Sequence, residues 1–279
     1  MGWVTKSEHS PGVELARPHV AASHGDELLM MQTRGALGRV IACVGAVGGA
    51  GTTSMAMAIA GVNTQRNDTW FLDASACAGS AEGVLGAESL PGMRTQEFQE
   101  ASGRMDMAVL APLVVDFGGV HTLLQNRFVP QPLSSEALTS LIMSITLGGS
   151  DVVVDASARV LALCDRLWDA IVVVSPLAMR GLAGTLSVAS QVAVLDVPVG
   201  LAVVSQRGRR GISSGRISPD QFAQAARLPL WSVMAYRADI ASATEQGFGP
   251  LRAGKRSEKL MAQCASRALA GALSHGKVR

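Results

Sequence analysis

Residues 39–56 read Arg-Val-Ile-Ala-Cys-Val-Gly-Ala-Val-Gly-Gly-Ala-Gly-Thr-Thr-Ser-Met-Ala, and the rest of the chain is read outward from them. Val40 to Val44 is an apolar β-type run, Gly45 to Gly51 a glycine-rich turn, and Thr52 to Val62 an alanine- and methionine-rich helical pattern. Strand, glycine loop and helix in that order build a phosphate-binding loop, where backbone N–H groups and a helix N-terminus form one anion site. Against the pattern G-x-x-x-x-G-K-[ST], however, Ala46 stands at the first glycine and Thr52 at the lysine, while Gly51 and Thr53 match. The geometry is expected to be retained and the chemistry damaged. A plain glycine turn of any α/β protein is the competing reading, and the downstream stretches decide between the two.

At 279 residues with 48% hydrophobic content, the chain suits one large α/β domain, residues 38–279, behind a tail, residues 1–37. That tail is largely polar, and Pro11 and Pro18 interrupt it; no secretory signal opens it. Four cysteines (Cys43, Cys77, Cys164, Cys264) lie far apart with no C-x-x-C pair, which fits structural thiols in a reducing compartment. Residues 41–65 carry no charge, but the glycine cluster and Thr52-Thr53-Ser54 at their centre argue against a membrane span. A cytoplasmic protein is expected. The net charge of +2 conceals an asymmetry: after residue 204 there are 13 Lys/Arg against 4 Asp/Glu, or +9, and before it 11 against 18, or −7. A basic C-terminal quarter suits an acidic partner, while ordinary solvated surface is the plainer account because no Lys/Arg run exceeds two.

Further along, Thr69 to Asp73 and Asp151 to Asp155 are strands that each end in a carboxylate. Asp169 to Ser175 and Val197 to Val204 are further strands, Val120 to Leu124 is a short one, and Leu228 to Met234 is the last. Between them, helices are predicted from Ser134 through Ile145, across Ala178 to Leu195, from a cap at Ser218 with Pro219 and Gln221, and from Ala238 to Gln246. A terminal helix over Ser257 to Leu273 brings Leu260, Met261, Cys264, Ala268, Leu269, Ala272 and Leu273 to one face. The alternation predicts an α/β fold with a doubly wound, mostly parallel sheet. In such sheets ligands sit at the C-terminal ends of the strands, where Asp73 and Asp155 stand.

On these residues the chain resembles the MinD/ParA ATPases, whose deviant P-loop reads G-K-G-G-x-G-K-[ST]-[ST]. Gly48, Gly49, Gly51, Thr53 and Ser54 match that pattern. The family's signature lysine, which reaches across a dimer to the partner's nucleotide, falls on Val47, and its phosphate-cradling lysine on Thr52. The resemblance implies a P-loop NTPase fold of the SIMIBI type. It also implies an ATP or ADP site made of Gly48, Gly49, Ala50, Gly51, Thr52, Thr53 and Ser54 with Asp73 and Asp155. Mg²⁺ would be held by Thr53 and, through water, by Asp155, in the position of the Walker B aspartate. The family's D-x-D ends here as Asp73-Ala74-Ser75, so the water-orienting carboxylate is replaced by Ser75. Leu228 to Pro250 is similar to the family's closing passage, with Ala235-Tyr236-Arg237 in place of its proline loop near the base.

A narrower similarity runs through Leu72-Asp73, Leu85-Gly86-Ala87-Glu88, Pro91-Gly92-Met93-Arg94, Ala101-Ser102-Gly103-Arg104 and Val154-Asp155. These pieces resemble the actinobacterial CpaE/TadZ-like proteins. That branch implies roles in septum-site determination or in placing Tad-type pilus and secretion machinery. It also implies protein partners in such a system, a homodimer, and a receiver-like domain of which residues 18–34 would be a remnant.

Phosphoryl transfer is positioning plus charge neutralisation. Losing one lysine contact forfeits roughly 4 kcal/mol of Coulomb attraction at an intermediate dielectric, or up to about three decades of affinity or rate. With Val47, Thr52 and Ser75 all substituted, weak nucleotide binding is expected and efficient hydrolysis is not. Arg207, Arg209, Arg210 and Arg216 sit in a Gly/Ser-rich loop and could meet lipid phosphates or, in a ParA-like DNA partition factor, nucleic-acid phosphates; a solvated loop is the plainer account, and no aromatic residue interleaves with them to stack on bases. The terminal helix invites comparison with the membrane-targeting helix of MinD, which would bring the chain to the inner face of a membrane. Its Ala, Leu and Met face without Trp or Phe favours packing on the sheet.

Overall fold

The computed structural model describes residues 37–75, 81–128, 131–205, 217–246, 248 and 254–275. Its centre is β1 (Val40–Gly45), paired in parallel with β5 (Asp151–Ala156) on one side and β6 (Ala170–Pro176) on the other. Outward from β5 come β2 (Thr69–Ala74), β4 (His121–Leu123) and β3 (Val115–Asp116); outward from β6 come β7 (Val199–Val204) and β8 (Leu230–Met234). The order is β3-β4-β2-β5-β1-β6-β7-β8, and β3, on the edge, is antiparallel to its neighbour. The β-branched runs of β1, β5 and β6 are buried on both faces, as a parallel sheet covered by helices requires.

The period of two divides the core between the two faces. Val40, Ala42 and Val44 face a layer that holds α4 (Ser135–Leu147), α5 (Ala158–Leu163), α6 (Met179–Val192) and α7 (Pro219–Ala226). Ile41 and Cys43 face α1 (Thr52–Asn63) and α9 (Lys255–His275); the short α2 (Ala81–Leu85) and α3 (Met107–Leu110) lie between β2 and β3, and α8 (Ala238–Glu245) between β8 and α9. Helix starts follow the caps read from sequence. Ser134 accepts from the Ala137 N–H, and Ser218 with Gln221 closes a capping box behind Pro219.

Several boundaries move, each for a local reason. The last strand begins at Leu230 rather than Leu228: Arg227 caps α7 in the left-handed region at φ 55°, and the Leu228 N–H returns to the Ala223 carbonyl. Strand β7 begins at Val199 because Pro198 has no N–H, although its carbonyl still accepts from Ile171. Helix α4 runs on to Leu147, and α6 is shorter than the sequence pattern, ending at Val192. The terminal helix spends its apolar face on the sheet, with Met261, Cys264, Ala265, Ala268, Leu269 and Ala272 all buried. Trp231 of β8 keys it in place between two glycines, since a Cβ on Gly200 or on Gly271 would stand 2.0 or 2.3 Å from the indole. No helix among the described residues is long and apolar enough to cross a membrane.

The stretch between β2 and β4, without clear periodicity in the sequence, is organised by Arg94. Its guanidinium donates to the Glu82 carboxylate (3.0 Å) and to the carbonyls of Gly92 (2.6 Å), Leu90 (2.9 Å) and Ala87 (3.3 Å). Both Arg94 and Glu82 are buried. Gly92, at φ 143°, brings the chain close enough to β3 that a Cβ would meet the Val115 nitrogen at 2.9 Å. Leu85–Glu88 and Pro91–Arg94 therefore form one knot. Replacing Arg94 with Met is expected to cost about 3–5 kcal/mol, the penalty of stranding a buried charge. Pairing that change with Glu82→Gln should recover part of it, read by urea unfolding.

Candidate functional site

Three strand ends converge at the C-terminal edge of the sheet: Asp155-Ala156 of β5, Gly45 of β1 and Pro176 of β6. The turn from β1 to α1 sits over them. The Ala46 N–H donates to the Val174 carbonyl at 2.9 Å, and the Ala50 N–H folds back to Val47 at 3.3 Å. Gly49 and Gly51 take φ 72° and 88°, conformations that disfavour other residues. Gly48 and Gly49 are exposed, and all three glycines of this bend face open space. Helix α1 then starts with no side-chain cap and no acidic residue in its first turn, so the N–H groups of Thr52, Thr53 and Ser54 find no protein acceptor among the described residues. Gly48, Gly49, Ala50, Gly51, Thr52, Thr53 and Ser54 thus sit together where β1 turns into α1.

Two glycines outside the motif hold the bend down. A Cβ on Gly45 would stand 2.5 Å from the Thr52 hydroxyl, so that short side chain is tucked beneath the bend. A Cβ on Gly184 of α6 would stand 2.1 Å from the Ala46 carbonyl oxygen and 2.8 Å from the Val47 side chain. Sequence reading missed Gly184, because a glycine inside a helix signals close packing without naming the partner.

Asp73 and Asp155 are register partners on β2 and β5, both buried. They are not equivalent. Asp73 accepts from the Ser75 hydroxyl (2.8 Å), the Ser75 N–H (3.2 Å), the Ala81 N–H (3.0 Å) and the Gln125 N–H (3.5 Å). Ser75, read as a lost carboxylate, thus caps the remaining one. Gln125 was not singled out from sequence, yet it follows the end of β4, the strand that pairs with β2; its side-chain amide also reaches the Ser75 carbonyl. Among the described residues Asp155 accepts a single hydrogen bond, 2.5 Å from the Thr53 hydroxyl. Burial, then the Asp73 charge, raise its carboxyl to about 7 against the pull of Thr53. Burial likewise raises Asp73, with its hydrogen bonds opposing. Burial and then Asp155 push the Cys43 thiol well up, so it is a packed, protonated core group.

A hydroxyl beside an under-bonded carboxylate is the hard-oxygen donor set that Mg²⁺ takes, usually with waters retained. Thr53 and Asp155 fit that ion, and its charge would offset the cost of ionising Asp155. The free N–H groups of the bend fit phosphate oxygens. Arg207, Arg209, Arg210 and Arg216 lie outside the described residues, as does Cys77.

No family model matches the sequence. An uncharacterised protein of Mycobacterium tuberculosis, found in two strains, is 28% identical over 251 residues, covering 87% of this chain and 68% of that protein. Among solved structures, a ParA family ATPase from Chlorobium tepidum superposes with a TM-score of 0.67 at 17% identity, over 82% of this chain and 98% of that one. MinD from the Aquifex aeolicus MinC:MinD complex gives 0.67 at 14%, over 85% and 96%. Pyrococcus horikoshii MinD, complexed with Mg-ADP, gives 0.58 at 16%, over 83% and 94%.

The chain has the MinD/ParA fold. At these identities the likeness establishes the architecture, and with it the expected doubly wound P-loop sheet.

The Asp155 carboxyl supplies a pH test. Its native value is raised above the ordinary 3.8, so the native state holds a proton that the unfolded chain gives up. Stability therefore falls as pH rises from about 4 to about 7, and the penalty is complete above that, at up to ~4 kcal/mol. Asp155→Asn should raise the unfolding midpoint at pH 8 and change it little at pH 4. Mg²⁺ should stabilise the wild type at pH 8 and not the variant. Gly184→Ala should cost about 1–3 kcal/mol by overpacking against Ala46, measured by chemical denaturation.

Proposed function

We propose that the chain is a degenerate MinD/CpaE-like P-loop protein that acts as a scaffold or spatial regulator, with weak or no ATP hydrolysis. Its setting would be septum-site determination or assembly of a Tad-type pilus or secretion machine. The observation that carries this reading is the loss of charge from an intact loop. Val47 and Thr52 occupy the two lysine positions, and no lysine occurs between Lys6 and Lys255. Lys255 and Lys259 are exposed on α9. Ser75, bonded to Asp73, leaves no second carboxylate to orient a water. Support for the CpaE-like branch comes from the two sequence pieces most specific to it, which meet in the Arg94 knot.

A nucleotide-dependent dimerising switch is the second reading. The Thr53–Asp155 contact and the unpaired N–H groups of α1 favour it, since both suit a Mg-nucleotide. Solved neighbours include MinD with Mg-ADP and an ATP complex of a Cyanothece McdA variant. Partners would be proteins of the same system, as MinC is for MinD, with a second copy of this chain across the nucleotide face. Any approach to the inner side of a membrane would be peripheral.

Calorimetric titration with Mg-ATP and Mg-ADP, run beside a turnover assay, separates the two readings. The wild type is expected to bind weakly and to turn over at background. The double variant Val47→Lys/Thr52→Lys should bind up to about a thousandfold more tightly, the worth of roughly 4 kcal/mol. Wild-type hydrolysis as fast as that of the restored variant would sink the scaffold reading.

A further inference from the structure

The bend at residues 46–53 lacks a cation of its own, but α6 carries one to its rim. Gly184 packs against Ala46 and Val47. Arg180, the second residue of α6, precedes Gly184 by one turn and so shares its flank, about 40° round the axis and roughly 6 Å nearer the helix N-terminus. That N-terminus lies at the same sheet edge as the bend, because β6 leads into it and Val174 of β6 is the register partner of Gly45. Side chains on a helix tilt toward its N-terminus, and that is the end of α6 nearest the exposed Gly48 and Gly49. Arg180 is exposed and makes no ion pair or hydrogen bond among the described residues.

We infer that Arg180 is the cation of this site: it approaches the bend from the flank of α6 and binds the phosphates that Thr52, Thr53 and Ser54 N–H groups hold from below. The ligand class is a phosphoanhydride, such as a nucleoside diphosphate or triphosphate with Mg²⁺. The inference rests on reading residues 46–53 as an anion cradle. It adds that the site kept a positive charge by moving it from loop to helix, and from ammonium to a guanidinium that grips phosphate oxygens in pairs.

Arg159 provides a control. It too lies in the first turn of a helix after a neighbouring strand, but it is exposed on the side of α5 away from buried Val160, Leu161 and Cys164. Binding of inorganic pyrophosphate and of Mg-ADP would be measured by calorimetry for the wild type, Arg180→Ala, Arg180→Lys, Arg159→Ala and Thr52→Lys/Arg180→Ala. Expected are a tenfold or greater loss for both ligands in Arg180→Ala, a partial loss in Arg180→Lys, and a change within about twofold in Arg159→Ala. The double variant should regain affinity, and the melting temperature of Arg180→Ala should match the wild type. Equal affinity of Arg180→Ala and wild type, or equal losses at Arg159 and Arg180, would overturn the assignment. Binding by Val47→Lys/Thr52→Lys but not by wild type would overturn it while sparing the cradle. Failure of both to bind would remove the cradle reading itself.

Discussion

Two carboxylates buried side by side on adjacent parallel strands set the terms for the rest of this molecule. Asp73 and Asp155 are fixed opposite each other by the register of β2 and β5, and the buried cation among the described residues, Arg94, is committed to Glu82. Like charges at that separation in a dry environment disfavour double ionisation. The fold answers unequally. Asp73 receives donors from Ser75, Ala81 and Gln125, which commits it to holding the end of β2 against the segments that follow β2 and β4. Among the described residues Asp155 receives only the Thr53 hydroxyl, which leaves it able to take up a proton or a cation. This asymmetry separates a structural carboxylate from a chemically available one at the same edge of the sheet.

The phosphate-loop shape persists without its lysines because the bend is also a structural junction. It ties β1 to β6 through Ala46 and Val174, α1 to β5 through Thr53 and Asp155, and β1 to α6 through the close approach at Gly184. None of these contacts needs a ligand. The glycines that would face phosphate are solvated, so an unliganded bend costs the fold little. Shape here is maintained by packing and does not depend on a charge at residues 47 or 52. The fold alone therefore says less about turnover than the identity of residues 47, 52 and 75.

Much of the architecture was legible in the sequence because its strong signals are local. Apolar β-branched runs marked β1, β5, β6 and β7, and Ser134 and Ser218 marked helix starts through bonds that span three residues. Boundaries failed where a proline or a left-handed cap reset the chain, at Pro198 and at Arg227 to Pro229. The site was legible as far as Gly48 to Ser54, Asp73 and Asp155. What it missed is non-local: Gly184 matters through Ala46 and Val47 far away in the chain, and Arg94 through Glu82 and the carbonyls of an aperiodic segment. Ser75 was identified as a substitution, but its bond to Asp73 depends on a backbone turn that composition does not encode.

The distribution of cations carries the argument one step further. Between Lys6 and Lys255 every positive side chain is an arginine, and arginine does not act in place as lysine does. A lysine within the loop reaches phosphate from inside the turn, so its grip depends on the loop alone. An arginine on the flank of α6 reaches it from outside, and its position then depends on how α6 sits against Ala46 through Gly184. With Arg180 as the cation, ligand binding would be linked to the seating of a helix on the layer opposite α1 and α9. A shift in that helix, whether from a partner protein or a second copy docking beside it, would change affinity at the bend, and by reciprocity a bound phosphate would bias the docking.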